Sequence, residues 1–494
     1  MNFGGGRQAA AIFKKYFGND YFPELKGDGS VSTKELTKTA AAYRKPENKD
    51  SLMYALKNGG PMVWLSCLIM GFGNLMAGQY IKTLIWLVIE VAFIAYMVIP
   101  MGGFHWLGLL PSLGDRVTEE VWNDDLGVFE YVQGDNSQQI LLYATATLVA
   151  IAVVFVIWRA SVRSGFKALS IKKSGKKVPT FADDVKSLFD ENIHKLLMFL
   201  PFAALMIFTV VPLIYMMMMA FTNYGRTGDH LTLFDWVGLD NFISLFDSSS
   251  ALGRQFFPVL QWTLIWAFFA TFLNFFAGTV MAMIINRPST RLKGMWRTIL
   301  SLTIAVPQFV SLLIIRTMFK EEGAINNLLM NLGWISSPLP FFTNATWARV
   351  TIIVINCWVG IPYTVMSVTG ILQNIPAEQY EAARIDGANA FQQFVNVTLP
   401  YMIFVMTPTL IGSFTGNINN FNIIYLLSGG GPTYIGDSAG QTDLLVTWLY
   451  KLTMDNQEYN LAAVIGIMTF FVLATVALLT YRNSGSYKDE EGFK

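Results

Sequence analysis

The stretch Asn374-Ile-Pro-Ala-Glu-Gln-Tyr-Glu-Ala-Ala-Arg-Ile-Asp-Gly387, which continues through Ala390 to Val397-Thr-Leu-Pro400, stands between two long apolar runs. Its local chemistry describes a helix, a turn and a second short helix. Pro376 suits a first helical turn, because the N–H it lacks would have no partner there. Glu378 and Glu381 complement the positive end of the helix dipole, and Gly387 offers a left-handed stop about three turns later. A second short helix is expected over residues 390–397, leading to Pro400. Ala382 and Ala383 leave room for another surface to approach closely. On these residues alone the segment is either a tidy connection or a docking element.

The flanking apolar runs belong to a larger pattern. The 494 residues are 53% hydrophobic and 14% charged, with a formal net charge of +1 and a mean hydropathy of +0.42. Ordinary soluble domains carry about 25% charged residues. The composition therefore excludes a disordered chain, a nucleic-acid binder held by net positive charge, and a soluble multidomain enzyme. A membrane-spanning helix needs about 20 apolar residues. Eight stretches qualify: 81–100, 139–158, 196–221, 259–285, 298–319, 348–372, 401–427 and 461–481. The expected fold class is an all-α polytopic membrane protein with eight transmembrane helices.

Orientation follows from Lys and Arg, which are enriched in cytoplasmic loops. With the N-terminus inside, 27 of the 35 basic residues fall on the inner side, five on the outer side and three within spans. Both termini are thus expected in the cytoplasm. Counting 61–78, an apolar piece interrupted by Gly71, Gly73 and Asn74, as a further span would put the ten basic residues of 1–60 outside. It is read instead as a re-entrant or interfacial helix. Residues 1–60 lack the apolar core of a signal peptide and are expected to be a cytoplasmic extension. Thr180 and Asp183 fit a capping box that opens an amphipathic stretch through Val185, Leu188, Phe189 and Ile193, either a helix on the membrane surface or a plain connector.

An ion-coupled carrier needs ionisable side chains at membrane depth. Glu90 is the one acid well inside a span, and the last six spans have none. Glu90 is expected to pair with a polar group of the neighbouring N-terminal helices. An ion-coupled secondary carrier is therefore the weaker alternative. No phosphate-binding loop occurs either: Gly175-Lys176 is followed by Lys177, with Ser170 where the first glycine belongs. Cys67, Cys357, His105, His194 and His230 are scattered and form no disulfide or metal spacing. The expectation is no catalytic residue, no metal and no cofactor held by this chain, with any driving energy supplied by another subunit.

Two spans carry polar residues on one face. Asn356, Val359, Gly360 and Tyr363 fall at i, i+3, i+4 and i+7, and Ser413, Gly416, Asn417 and Asn420 repeat the spacing. Seven residues advance a helix by about 10 Å, enough to line a disaccharide-sized groove. Amides and phenols match sugar hydroxyls, yet small polar residues at this spacing also hold membrane helices together.

The loop resolves these alternatives. Glu381-Ala382-Ala383, Gly387, and Val397-x-Leu399-Pro400 resemble the EAA loop of permease subunits in binding-protein-dependent ABC importers, with Val397 where the family usually has Ile. Thr346-Trp-Ala-Arg349, Asn356-Cys-Trp-Val-Gly-Ile-Pro-Tyr363, Ser413 to Phe421, Leu426-Leu-Ser-Gly-Gly-Gly-Pro432 and Ala439 to Val446 look like the MalF-like permeases of maltose/maltodextrin ABC importers. The likeness covers roughly residues 195–481. It implies a six-helix type I ABC importer core preceded by two N-terminal spans and the re-entrant or interfacial helix. The implied organisation is an N-terminal extension (1–60), an N-terminal membrane module (61–194), the core (195–481) with its coupling loop (373–400), and a cytoplasmic tail (482–494).

The resemblance further implies location in a bacterial cell membrane. The implied partners are a MalG-like permease subunit, two ATPase subunits that use ATP-Mg, and an extracellular maltose/maltodextrin-binding protein, all around a lipid bilayer and with no nucleic acid. Glu381, Ala382, Ala383, Gly387, Leu399 and Pro400 would couple to the ATPase. The two polar faces would line the sugar site, with Asn356, Gly360, Tyr363, Ser413, Asn417 and Asn420 as identities. Val359 replaces a Leu, and Gly416 stands where a stacking Phe occurs in the family. Trp358 points away from the stripe and is expected to pack. The outer loop 222–258 is short, whereas enterobacterial members carry a folded domain there. Another oligosaccharide remains an alternative substrate; glycerol phosphate is disfavoured because the stripe has no Arg or Lys to pair with it.

Overall fold

The computed structural model describes residues 51–124, 127–287 and 289–483. The expectations for residues 1–50 and 484–494 lie outside the described residues. The first elements are α1 (Leu52–Asn58), α2 (Gly60–Leu68), α3 (Phe72–Ala77), α4 (Tyr80–Val98) and α5 (Gly103–Leu109). A small antiparallel hairpin follows, β1 (Glu119–Asn123) with β2 (Val128–Val132), pairing Glu119 with Val132 and Asn123 with Val128. Next come α6 (Ser137–Lys173), α7 (Phe181–Phe189), α8 (Ile193–Met219, with a π turn at Met206–Val210), α9 (Asp240–Phe246) and α10 (Ala251–Asn286). The chain continues with α11 (Lys293–Ala305), α12 (Gln308–Met318), α13 (Ala324–Asn331) and α14 (Ala345–Gln373). It closes with α15 (Ala377–Ile385), α16 (Ala390–Ile418), α17 (Phe421–Leu427), α18 (Leu445–Met454) and α19 (Tyr459–Asn483).

Among the described residues seven helices are long and apolar enough to cross a membrane: α4, α6, α8, α10, α14, α16 and α19. The eighth apolar stretch is a pair, α11 and α12, bent by 91°. Pro307 explains the bend. Its ring disfavours helical geometry at the preceding residue, and Val306 sits at φ −77°, ψ 128°. The seventh stretch also differs from a simple span. Its helix starts early, at Ala390, because the wide turn at Phe394–Thr398 absorbs Pro400 where a regular turn would meet the proline ring. It then ends at Ile418, and α17 is a separate piece. The hairpin is the one sheet among the described residues, beside an isolated bridge between Thr222 and Trp236.

The chain divides into two compact units, residues 51–105 with 147–204, and 106–146 with 205–483. In the first unit, 61–78 forms a broken helix, and three N–H groups at the break find side chains. Met70 N donates to Glu90 Oε2 at 2.8 Å, Gly71 N to Ser161 Oγ at 2.9 Å, and Gly73 N to Ser66 Oγ at 2.7 Å. Such satisfaction is what non-helical backbone needs at membrane depth. Gly71 takes φ +81°, which favours glycine, and Gly73 rests on Gly165, whose Cα lies 2.9 Å from where a Cβ at 73 would stand. Glu90 thus serves the break in the neighbouring helix.

The Thr180 capping box forms as expected: Asp183 N donates to Thr180 Oγ1 at 3.3 Å and Thr180 N to Asp183 Oδ2 at 2.8 Å. These bonds to Thr180 hold the Asp183 carboxyl below its usual range. In the second unit, α10 packs along α14 and α16, while α18 packs on α19. The fully buried Trp266 and Trp448 anchor two of its cores.

Candidate functional site

Residues of α10, α14 and α16 enclose a cavity of about 400 Å³. All eight positions of the two polar faces line it: Asn356, Val359, Gly360 and Tyr363 from α14, and Ser413, Gly416 and Asn417 from α16, with Asn420 beyond. Asn420 reaches it by a different route from the one its spacing implies. The helix has already ended, and Asn420 instead caps α17, its Oδ1 accepting from Ile423 N at 3.3 Å. Trp266 Nε1 donates to Asn417 O at 3.1 Å, a carbonyl that also accepts from Asn420 N at 3.2 Å. Asn417 Nδ2 donates to Thr271 Oγ1 at 3.0 Å, and Asn420 Nδ2 donates to Asn417 Oδ1 at 3.3 Å. The amides at the break therefore hold one another in place.

A third wall was not anticipated. Thr271 and Asn274 of α10 line the cavity, as does Gln308 at the start of α12. Thr271, Asn274 and Gly278 recur at i, i+3 and i+7, so the same helical spacing could have pointed to α10. Asn274 Nδ2 donates to Ala270 O at 2.7 Å. Its amide lies against Gly360, where any Cβ would collide with it. Gly416 is the opposite case, with open space where a Cβ would project. Trp358 is exposed and does not line the cavity.

The lining contains no Asp, Glu, Lys, Arg or His. It is not inert, however. Asn356 Nδ2 and Asn274 Oδ1 are buried with no hydrogen-bond partner. One is a donor and the other an acceptor, and leaving each unmade costs about 1–3 kcal/mol. Phe275 and Val359 add apolar surface beside them. Chemically, this arrangement can hydrogen-bond neutral hydroxyl groups and pack against their carbon skeleton.

The loop at 373–400 has a different character. α15 begins after Pro376 and stops before Gly387, which takes φ +77°. Ala388 N donates to Ala383 O at 2.9 Å, closing the turn, and an Asn389–Gln392 capping box opens α16. Ala382 and Ala383 line a hollow of about 680 Å³ with Gln379, Asp386, Val397 and Tyr401. Glu381 and Gly387 are exposed outside it; Leu399 and Pro400 lie further along α16. Two residues unmarked in the sequence stand out, Ile385 at 87% exposure and Phe391 at 73%. Large exposed apolar side chains beside a hollow mark an interaction surface.

Beyond the other end of the cavity, the glycine-rich segment 428–444 is pinned by Asp443. Its Oδ2 accepts from Gly440 N and from Lys451 Nζ, each at 2.6 Å. Burial pushes the Asp443 carboxyl up, with Lys451 opposing. Arg349 stacks over Trp262 at 4.9 Å and donates to Gln441 O at 2.9 Å. Among the described residues no group of three His, Cys, Asp or Glu side chains could hold a metal ion.

Comparison with known proteins agrees with this architecture. The family of binding-protein-dependent transport system inner membrane components matches residues 274–485. The galactooligosaccharides transport system permease protein GanP of Bacillus subtilis is 34% identical over 432 residues, covering 86% of this chain and 98% of that one. The maltodextrin transport system permease protein MalC of Streptococcus pneumoniae is 32% identical over 441 residues, covering 86% and 96%. A chain of a bacterial ABC transporter that imports the acidic polysaccharide alginate shares the fold, with a TM-score of 0.50 and 22% identity over 60% of this chain and 96% of that one.

Proposed function

This chain belongs to the inner membrane components of binding-protein-dependent transport systems, and from that membership we propose that it is the permease subunit of an ABC importer for maltose and maltodextrins. The observation that carries the substrate is the cavity: among the described residues its lining holds no charged side chain and includes the polar residues Asn356, Tyr363, Ser413, Asn417 and Asn420, which suits a neutral polyol. An acidic sugar would find no cation there. Galactooligosaccharides are the second reading, supported by the 34% identity to GanP.

The partners follow from the surfaces. Tyr363 is 54% exposed, and Ser413 and Gly416 are exposed beside it, so one side of the cavity is open to a second, MalG-like permease subunit. On the loop, the hollow beside Ala382 and Ala383 with Ile385 and Phe391 suits docking of an ATPase subunit, two copies of which would use ATP-Mg. Glu381, Gly387, Leu399 and Pro400 would shape that coupling element. The basic loops and both termini face the cytoplasm, and an extracellular sugar-binding protein delivers the substrate from the opposite side. ATP-driven closure of the ATPases then moves α15 and switches access to the cavity.

The test is stimulation of ATP hydrolysis in the reconstituted complex by its binding protein loaded with maltose, longer maltodextrins, galactooligosaccharides, lactose or trehalose. Maltodextrins are expected to stimulate most strongly. Stimulation by galactooligosaccharides alone would transfer the assignment to the second reading, and uptake that ignored ATP but followed a proton gradient would defeat both.

A further inference from the structure

A second cavity, of about 710 Å³, lies in the first unit and has the opposite chemistry to the transport cavity. Among the described residues three cations line it, Arg163 and Lys167 from α6 and Lys195 from α8, and no carboxylate does. Among the described residues, Arg163 and Lys167 have no ion-pair or hydrogen-bond partner. Lys195 donates to the neutral Asn192 Oδ1 at 2.6 Å. Tyr54 and Phe166 meet edge to face at 5.9 Å on the same wall, and Ser170 adds a hydroxyl.

The depth of this pocket is set by the sequence of α6. Its apolar run ends at Trp158, and the helix carries five basic residues and no acid from there to Lys173. Arg163 and Lys167 stand five and nine residues beyond Trp158, about 7 and 13 Å along the axis. A headgroup layer is roughly 5–8 Å thick on each face of the hydrocarbon core. Arg163 therefore stands at the outer edge of that layer and Lys167 about one turn beyond it, with side chains that tilt toward the helix N-terminus and so back to the lipid phosphates. Trp158, whose Nε1 donates to Cys67 O at 2.9 Å, marks the boundary as aromatic residues commonly do.

We propose that this pocket binds the phosphate of an anionic glycerophospholipid, with Arg163, Lys167 and Lys195 on the phosphate and the Tyr54–Phe166 pair beside the polar headgroup. Basic pockets at the membrane surface between helices take such headgroups, and each cation near an anionic surface contributes about a five-fold gain in affinity, equivalent to ~1 kcal/mol. The site lies within the first unit and does not depend on which sugar the chain transports.

Native mass spectrometry of the full-length chain in a non-ionic detergent tests it, with dioleoyl phosphatidylglycerol and dioleoyl phosphatidylcholine as probes. The chain is expected to retain phosphatidylglycerol selectively. Combining Arg163→Gln with Lys167→Gln should weaken retention about thirty-fold. Lys176→Gln with Lys177→Gln, an equal loss of charge outside the pocket, should leave it unchanged. The charge-preserving pair Arg163→Lys with Lys167→Arg should bind, which separates loss of charge from loss of fold. Equal weakening by both charge-removing pairs, or none by the pocket pair, would overturn the site. Displacement of the lipid by an equal concentration of soluble glycerol phosphate would overturn the lipid as its occupant.

Discussion

The transport cavity and the loop at 373–400 solve opposite problems. In the cavity, amides sit in an apolar surround, and two of their polar atoms, Asn356 Nδ2 and Asn274 Oδ1, lack partners. On the loop, Ile385 and Phe391 are apolar side chains exposed on a polar helix surface. Each region is destabilising in isolation, but for opposite reasons: an unmade hydrogen bond in one, uncovered hydrocarbon in the other. The contrast teaches that the two select different partners. A hydroxylated solute suits the first, and a protein surface suits the second.

The largest effect on transport should come from Gly360→Val. The added side chain must displace Asn274, so sugar uptake is expected to fall at least about 100-fold, the equivalent of ~3 kcal/mol of overpacking. Uptake at near-normal rates would show that α10 and α14 do not need their close approach. Next is Asn356→Leu, which removes a buried donor without a partner. Transport should fall about 10- to 100-fold while thermal stability holds or rises, because the apolar replacement relieves an unsatisfied group. A stability loss with transport intact would return Asn356 to a packing role.

The loop should fail differently. Ile385→Asp, Gly387→Pro or charge reversal at Glu381 is expected to reduce co-purification of the ATPase subunit about ten-fold or more while leaving sugar affinity unchanged. A normal complex from all three would remove the coupling role. Outside both regions, Lys451→Met strips the counter-charge from buried Asp443 and should lower stability by about 3–5 kcal/mol in thermal unfolding.

The smallest effect belongs to Thr180→Ala, about 1 kcal/mol, seen as faster amide exchange over α7. The pH dependence there has a definite sign. The folded-state pKa of Asp183 is lowered, so its contribution is present above the ordinary carboxylate range and is lost as pH falls through the lowered value. Protection factors in α7, corrected for intrinsic exchange, that stayed constant into acid pH would contradict the capping box.

Much of this could be read from residue spacing, and the failures have physical causes. The face of α14 was legible because a continuous helix keeps i, i+3, i+4 and i+7 together. Asn420 lines the cavity although the chain is no longer helical there, so its spacing was not the reason. Asn274 escaped notice because a lone amide in an apolar run looks like ordinary helix packing until Gly360 is seen against it. Pro307 was visible but the size of the bend was not, since a proline fixes local geometry and leaves the angle to packing. Glu90 was expected to pair with a polar group nearby. Its partner is the backbone of Met70, which no side-chain pattern reveals. Nothing in the spacing marks Ile385 and Phe391, and only their exposure distinguishes them.

The most direct test measures sugar uptake and ATP hydrolysis together, in proteoliposomes holding the complete complex, for Asn356→Leu and Ile385→Asp. The cavity variant should lose uptake while its ATPase subunits stay bound and hydrolyse ATP. The loop variant should lose both activities and retain sugar affinity. If both variants lost the two activities in parallel, or if the cavity variant transported normally, the division between a sugar-binding cavity and an ATPase-docking loop would be contradicted.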